Sequence, residues 1–388
     1  MDSIKRKIFD ISSIGITDVI SAGIAAIFWL YIASELGPEN YGELTYLISI
    51  ASLVSGIALF GSNHTILVLA AKKVDIQATL YFISIIANMI GSIIIFFLFF
   101  NIGISLVIIA YTMFSLVAFD FLGKKLYRNY SKYIISQKIL LIIFGLGFNY
   151  LIGENGILIG IALSHTHFIY HIIKSLKNSK INFGLIKERK NFIFNNFALS
   201  IIGTFYGSVD KLIIAPVLGF TILGNYSLGL QFFTILNLLP SMAVRYFTSE
   251  NISGVKNKKL KKIIVLTSIG IAILGLTVGP IVISYIFPKF SDAGNLIRIM
   301  SLAIIPITIS STYFYPKFWA QEKNKLIVVS TIIILLIQMI GILTLGPIYE
   351  INGIAITFLI SNIGGCCFAA ITSKFWQNYM ISSINSIY

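Results

Sequence analysis

Apolar runs of about 20 residues, each able to cross a hydrocarbon core about 30 Å thick as a helix, follow one another along almost the whole chain. Twelve are read, near residues 11–35, 42–60, 79–100, 102–122, 138–152, 156–173, 197–217, 223–245, 263–286, 297–318, 326–345 and 351–374. Charged residues make up 11% of the chain, against roughly 25% in soluble domains, and the mean hydropathy is +0.90. A water-soluble globule is excluded. Lys5, Arg6 and Lys7 precede the first run as in a signal sequence, but that run is too long for a cleavable h-region, so an uncleaved first crossing is expected.

The placement of charge tests the helix count. With twelve crossings, 26 of the 29 basic residues fall on one side, in segments led by Lys5, Lys72, Lys124, Lys174, Arg245, Lys317 and Lys374. The other side receives Lys289 and Arg298, and Lys211 lies within a run. Basic residues mark the cytoplasmic side, so both termini are expected in the cytoplasm of a multi-pass cell-membrane protein. The net charge of +14 thereby has a use other than nucleic acid, which is not expected as a partner. Cys366 and Cys367 are adjacent within an apolar run and cannot make a disulfide framework.

The chain also repeats itself. Leu36-Gly37 with Gly42 recurs as Leu218-Gly219 with Gly224, at an offset of 182, and Asn155-Gly156-Ile157 recurs as Asn352-Gly353-Ile354, at an offset of 197. Six crossings separate the copies in each case, so the halves share one orientation, a parallel repeat. The division expected is an N-terminal six-helix bundle over 1–180, a basic cytoplasmic linker over 181–196 and a C-terminal six-helix bundle over 197–388.

Three segments stand out: Ala33-Ser34-Glu35-Leu36-Gly37-Pro38-Glu39-Asn40-Tyr41-Gly42; Val209-Asp210-Lys211-Leu212-Ile213-Ile214 with Leu218-Gly219 and Gly224-Asn225-Tyr226-Ser227; and Gly353-Ile354-Ala355-Ile356 with Ile360-Ser361. They resemble the oligosaccharide flippases, the polysaccharide biosynthesis or O-antigen transport proteins of the multidrug/oligosaccharidyl-lipid/polysaccharide exporter superfamily. The resemblance implies an all-α, MATE-like fold of two six-helix bundles that opens a central cavity to one side and then the other. The cargo it implies is a polyprenyl-(pyro)phosphate-linked oligosaccharide moved to the outer leaflet. The partners then expected are that cargo, membrane lipids, H+ or Na+ as coupling ion, and glycan-assembly machinery.

Charge inside hydrocarbon is costly, and what is retained there is a functional candidate. Asp18, Asp120 and Asp210 qualify among the acids, and Lys211 among the bases. Asp210 and Lys211 are sequence neighbours about 100° apart on a helix, so they are not expected to neutralise each other. The substrate-binding candidates are Lys211, Asp210, Arg245, Tyr206 and Tyr226, with Tyr313 and Tyr315 as further stacking surfaces. Those for ion coupling are Asp18, Asp210, His167 and His171, the two histidines being spaced to share a helical face. An interhelical ion pair is the structural alternative for Asp210 and Lys211, an anchor at the membrane surface for Arg245, and interfacial pairing with Lys124 and Lys125 for Asp120. Gly37, Gly42, Gly207, Gly219 and Gly224 are read as hinge or turn positions.

No ATP-binding phosphate loop, zinc-ligand set or nucleophilic triad occurs in the sequence, so neither a metal nor a cofactor is expected and the chain is not read as an enzyme. A cation-coupled multidrug or metabolite antiporter of the same fold is the alternative, and would favour an acidic, aromatic cavity. A membrane-embedded polysaccharide polymerase or ligase is disfavoured by short loops on the side poor in basic residues.

Overall fold

In the computed structural model the backbone is described for residues 2–252 and 257–385, and side chains for 15–373 apart from 245, 249 and 252–256. No strand occurs among the described residues. The helices are α1 (Asp2–Ala58), α2 (Ser62–Ala71), α3 (Gln77–Phe99), α4 (Ile102–Gly123), α5 (Tyr127–Ile152), α6 (Glu154–Leu163), α7 (Phe168–Asn178), α8 (Phe183–Glu188), α9 (Lys190–Leu218), α10 (Phe220–Leu236), α11 (Leu238–Ile252), α12 (Lys258–Ile286), α13 (Ala293–Met300), α14 (Ile304–Ile309), α15 (Tyr315–Ala320) and α16 (Asn324–Asn385).

Nine helical stretches among the described residues are long and apolar enough to cross a membrane. Two of them, Gly15–Ala58 with 44 residues and Asn324–Ser373 with 50, would be roughly 65–75 Å long as straight helices, twice what a crossing needs. Each is in fact two helices meeting at a non-helical residue, Gly37 in α1 and Glu350 in α16. Counting those breaks gives eleven, and α10 with α11, bent by 49° across one break, supplies a twelfth. The protein is an all-α, multi-pass membrane protein.

Backbone geometry carries the repeat. Positive φ occurs at Gly37 (75°) and Gly219 (90°), and again at Gly153 (74°) and Glu350 (50°), pairs separated by the same 182 and 197 positions as the sequence motifs. Gly156 packs on the carbonyl of Phe148, and Gly353 on that of Leu345, so this turn is also copied. Gly42 faces the carbonyl of Phe220 while Gly224 faces that of Pro38, and a Cβ at either glycine would overlap the oxygen.

The chain packs as two units, Met1–Ile32 with Leu44–Ser208, and Ala33–Glu43 with Val209–Tyr388. In the first, α4 starts where Asn101 accepts from the backbone N–H groups of Gly103 and Ile104 at 2.9 and 3.3 Å, an N-cap that supplies two of the donors a helix leaves open. Ser92 and Ser105 exchange hydroxyl-to-carbonyl bonds of 2.8 and 3.0 Å that zip α3 to α4. Leu59, Ile66, Leu80, Leu116, Phe121, Phe168 and Ile172 pack together as a buried core. The start of α9 belongs here because Asn196 donates to Thr65 at 3.1 Å and Gly56 lies against Thr204.

In the second unit the run expected over 297–318 is not one helix. It comprises α13, a 3-10 turn over Ser301–Ala303, α14, a π-helical turn over Ser310–Phe314, and α15. Asn225 of α10 accepts from Ala293 N–H at 3.1 Å, capping the first turn of α13. Tyr41 packs edge-on to Phe290 at 6.1 Å between ring centres.

Candidate functional site

The expected fifth crossing begins too late. The helix α5 starts at Tyr127, and its first turns carry Arg128, Asn129, Ser131, Lys132, Ser136, Gln137 and Lys138, whose polarity hides it from a hydropathy window. Lys138, which the charge count places with the cytoplasmic segment led by Lys124, therefore lies about 16 Å along a helix about 39 Å long.

It lines a cavity of about 500 Å³ contained in the first unit. The wall is hydroxyl- and amide-rich, with Ser52, Ser55, Asn63, Ser115, Gln137, Ser200, Thr204 and Ser208, and carries the rings of Trp29, Tyr111, Phe114 and His165. Lys138 is the only Lys or Arg among the lining residues, and none of them is a carboxylate. Gly203 and Gly207 complete the wall on α9, and a Cβ at either would meet nothing within 4 Å. Gly207, read as a hinge, lies in an unbroken stretch of α9 and faces open space.

Beside this cavity the sixth crossing breaks over Ser164–His167, between α6 and α7. The two histidines expected to act together lie at and just after its end, but they engage different partners. His167 Nε2 meets the carbonyl of Tyr133 at 3.1 Å, whereas His171 Nε2 meets Asp120 Oδ2 at 2.8 Å. They do not converge, and no group of three or more His, Cys, Asp or Glu placed to hold a metal occurs among the described residues. Asp120 is fully buried and pairs with Lys124 at 2.9 Å as well as with His171. The bond to Lys124 was legible at a spacing of four, but the bond to His171 spans 51 residues and was not. Asp18 accepts from Tyr130 at 3.2 Å, on the same first unit.

The second unit organises its charge differently. Asp210, 6% exposed, accepts a 2.5 Å bond from Tyr226, whose hydroxyl also lies 3.4 Å from Gln338 Nε2. The carboxylate takes Lys211 N–H at 2.8 Å, and Lys211 Nζ folds back to 3.5 Å from Asp210 Oδ1. The expectation that these neighbours cannot meet is thus corrected. Backbone direction separates their Cβ atoms, but the four-carbon stem of lysine is long enough to return its ammonium. Tyr206 is 44% exposed and is not among the cavity residues. The side chain of Arg245 lies outside the described residues. Tyr313 lies under Lys261 at 5.6 Å, and Tyr315 bonds Ser330 at 3.1 Å. Of the expected turn glycines, Gly37 and Gly219 make breaks with positive φ, whereas Gly42 and Gly224 are helical residues of close approach.

The architecture has counterparts among solved structures. A lipid II flippase MurJ in an inward closed conformation matches with a TM-score of 0.67 and 16% identity over 93% of this chain and 87% of that one. The fold is MATE-like. A multidrug resistance MATE family transporter of the MOP superfamily, in an inward-facing conformation, matches at 0.64 with 12% identity over 97% of this chain and 99% of that one. A MOP superfamily transporter from Pyrococcus furiosus, described as having a binding pocket of reverse polarity that suggests a different function, matches at 0.58 with 15% identity over 97% and 96%. No family model and no curated protein matches the sequence.

Proposed function

We propose that this protein is a secondary transporter of the cell membrane that moves a polyprenyl-phosphate- or polyprenyl-diphosphate-linked oligosaccharide from the cytoplasmic to the outer leaflet by alternating access, for assembly of a surface glycan. One observation carries the reading: the first-unit cavity holds a lysine and no carboxylate on a wall of hydroxyls and amides. A lone cation in a low-dielectric site attracts a phosphate strongly, and serine, threonine and asparagine both donate to and accept from sugar hydroxyls. A lipophilic cation would meet repulsion there, which weighs against the antiporter of the same fold.

The lipid II flippase among the structural counterparts supports the same reading, since its cargo is named as a lipid. The basic bias of alternate loops supports cytoplasmic termini and a six-plus-six division about the linker.

The test is flipping of a fluorescent polyprenyl-diphospho-sugar in proteoliposomes. Lys138→Glu should lower the rate by about a hundredfold and Lys138→Arg should restore most of it, because an ion-assisted hydrogen bond contributes roughly 1.5–3 kcal/mol and the reversed charge adds repulsion. An unchanged rate in Lys138→Glu would refute the reading. Export of ethidium in place of the lipid would establish the antiporter.

A further inference from the structure

The expected linker is not a loose loop. Between α7 and α9 it carries α8, and its contacts fix its place on the first unit. Asn182 N–H donates to Thr79 Oγ1 at 2.9 Å, and Phe183 packs edge-on to Phe82 at 6.3 Å between ring centres. Leu185 and Ile186 lie against the buried core that contains Leu80 and Tyr81. Thr79 and Phe82 are in the first turns of α3, within about 8 Å of its start.

Residues 77–81 of α3 are buried, and every exposed residue of that helix from Phe82 onward is apolar. Phe82, Ile86, Met89, Ile90, Ile93 and Phe97 mark this open face. On a helix long and apolar enough to cross a membrane, such a face is turned to lipid. The lipid-facing surface of α3 therefore begins at Phe82, and Phe183 continues it onto α8. This sets the linker at the depth where acyl chains give way to headgroups.

The side chains of the linker suit that depth. From Lys174 to Lys190 six basic residues stand against one acid, Glu188. Lys177, Lys180, Lys187 and Lys190 are exposed, and none of them forms an ion pair among the described residues. Ile181 and Phe183, set among them, are exposed as well, at 43% and 55%. Cations interleaved with exposed apolar groups characterise a segment lying in the membrane surface. An acidic protein would answer the lysines, but it would have to displace lipid from Phe82 to cover Phe183. A lipid answers both. A choline headgroup brings its own cation to the phosphate, whereas a headgroup of net negative charge leaves the phosphate to lysine.

We propose that this linker is a docking surface for anionic phospholipid, with Ile181 and Phe183 in the acyl border of the leaflet and Lys177, Lys180, Lys187 and Lys190 on the phosphates. None of these residues lines the cavity, and the surface does not depend on the cargo.

Native mass spectrometry of the full chain, released from micelles with equal phosphatidylglycerol and phosphatidylcholine, tests this. The parent should retain phosphatidylglycerol over phosphatidylcholine by about fivefold, what one lysine contributes near an anionic surface. Replacing the four lysines together by glutamine should bring the ratio close to one. Lys258→Gln, Lys259→Gln and Lys262→Gln together, at the exposed start of α12, should leave it unchanged. A parent without preference, or equal losses in the two sets, overturns the surface. Should the fourfold variant melt early in phosphatidylcholine alone, Lys180→Gln with Lys187→Gln replaces it and must at least halve the ratio. Depth is read separately, from a nitroxide on Phe183→Cys in nanodiscs, with Cys366 and Cys367 changed to serine. Oxygen should relax that label more than a water-soluble nickel chelate does, and the reverse order would overturn the apolar half of the surface.

Discussion

The two packing units bury polar groups to different ends. In the second, Asp210, Tyr226 and Gln338 satisfy one another, Asn225 caps a neighbouring helix, and Gly224 admits a carbonyl. The Gly224-Asn225-Tyr226 motif is thus consumed by holding helices together. In the first, the hydroxyls, Lys138 and Gln137 surround empty space, and the glycines of α9 keep it empty. Polarity that closes on itself stabilises a fold, whereas polarity arranged around a void waits for something to bind.

Four substitutions probe this contrast. The largest effect should come from Gly224→Ala, whose new methyl overlaps the carbonyl of Pro38 and should cost about 2–3 kcal/mol, in the range of overpacking. Gly203→Ala on the cavity wall, where a Cβ meets nothing, should cost nothing and gain up to ~1 kcal/mol from helix propensity. Melting of the purified variants in detergent compares them, and equal shifts would erase the contrast. Tyr226→Phe comes next: Asp210 loses its 2.5 Å donor and the fold should lose about 1–2 kcal/mol, where an unaltered melting temperature would mean that the carboxylate is satisfied without Tyr226. A shift smaller than that of Tyr226→Phe, and of opposite sign, is expected at the copied turns. Glu350 adopts a φ of 50° where the first copy has Gly153, a region that strains any residue with a Cβ. Glu350→Gly should therefore raise stability by about 1 kcal/mol, and a loss would show that the glutamate side chain repays its strain.

What could be read from the sequence follows from the range of each signal. Crossings and their repeat are local properties of apolar runs and turn residues, so Gly37 and Gly219 stand out without coordinates. The N-terminal part of α5 does not, because Gln137 and Lys138 line a cavity, and a window that averages over a helix cannot tell polarity turned inward from polarity in a loop. On hydropathy alone Lys138 accordingly falls with the loop residues. The break at Ser164–His167 has neither proline nor positive φ to announce it. Asp120 with His171, Ser164 with Gln137, and Asn225 with Ala293 are pairs 51, 27 and 68 residues apart, joined only by packing. The boundary between the units falls at 208/209, inside α9, where no loop marks it.

The mutual approach of Gly42 and Gly224 has a consequence beyond tight packing. Each presents its bare Cα to the oxygen that stands four positions before the other, so the junction is self-complementary, the kind that a symmetric dimer of equal protomers makes. A version of this chain cut between the two copies of the turn would retain the means to find its own partner.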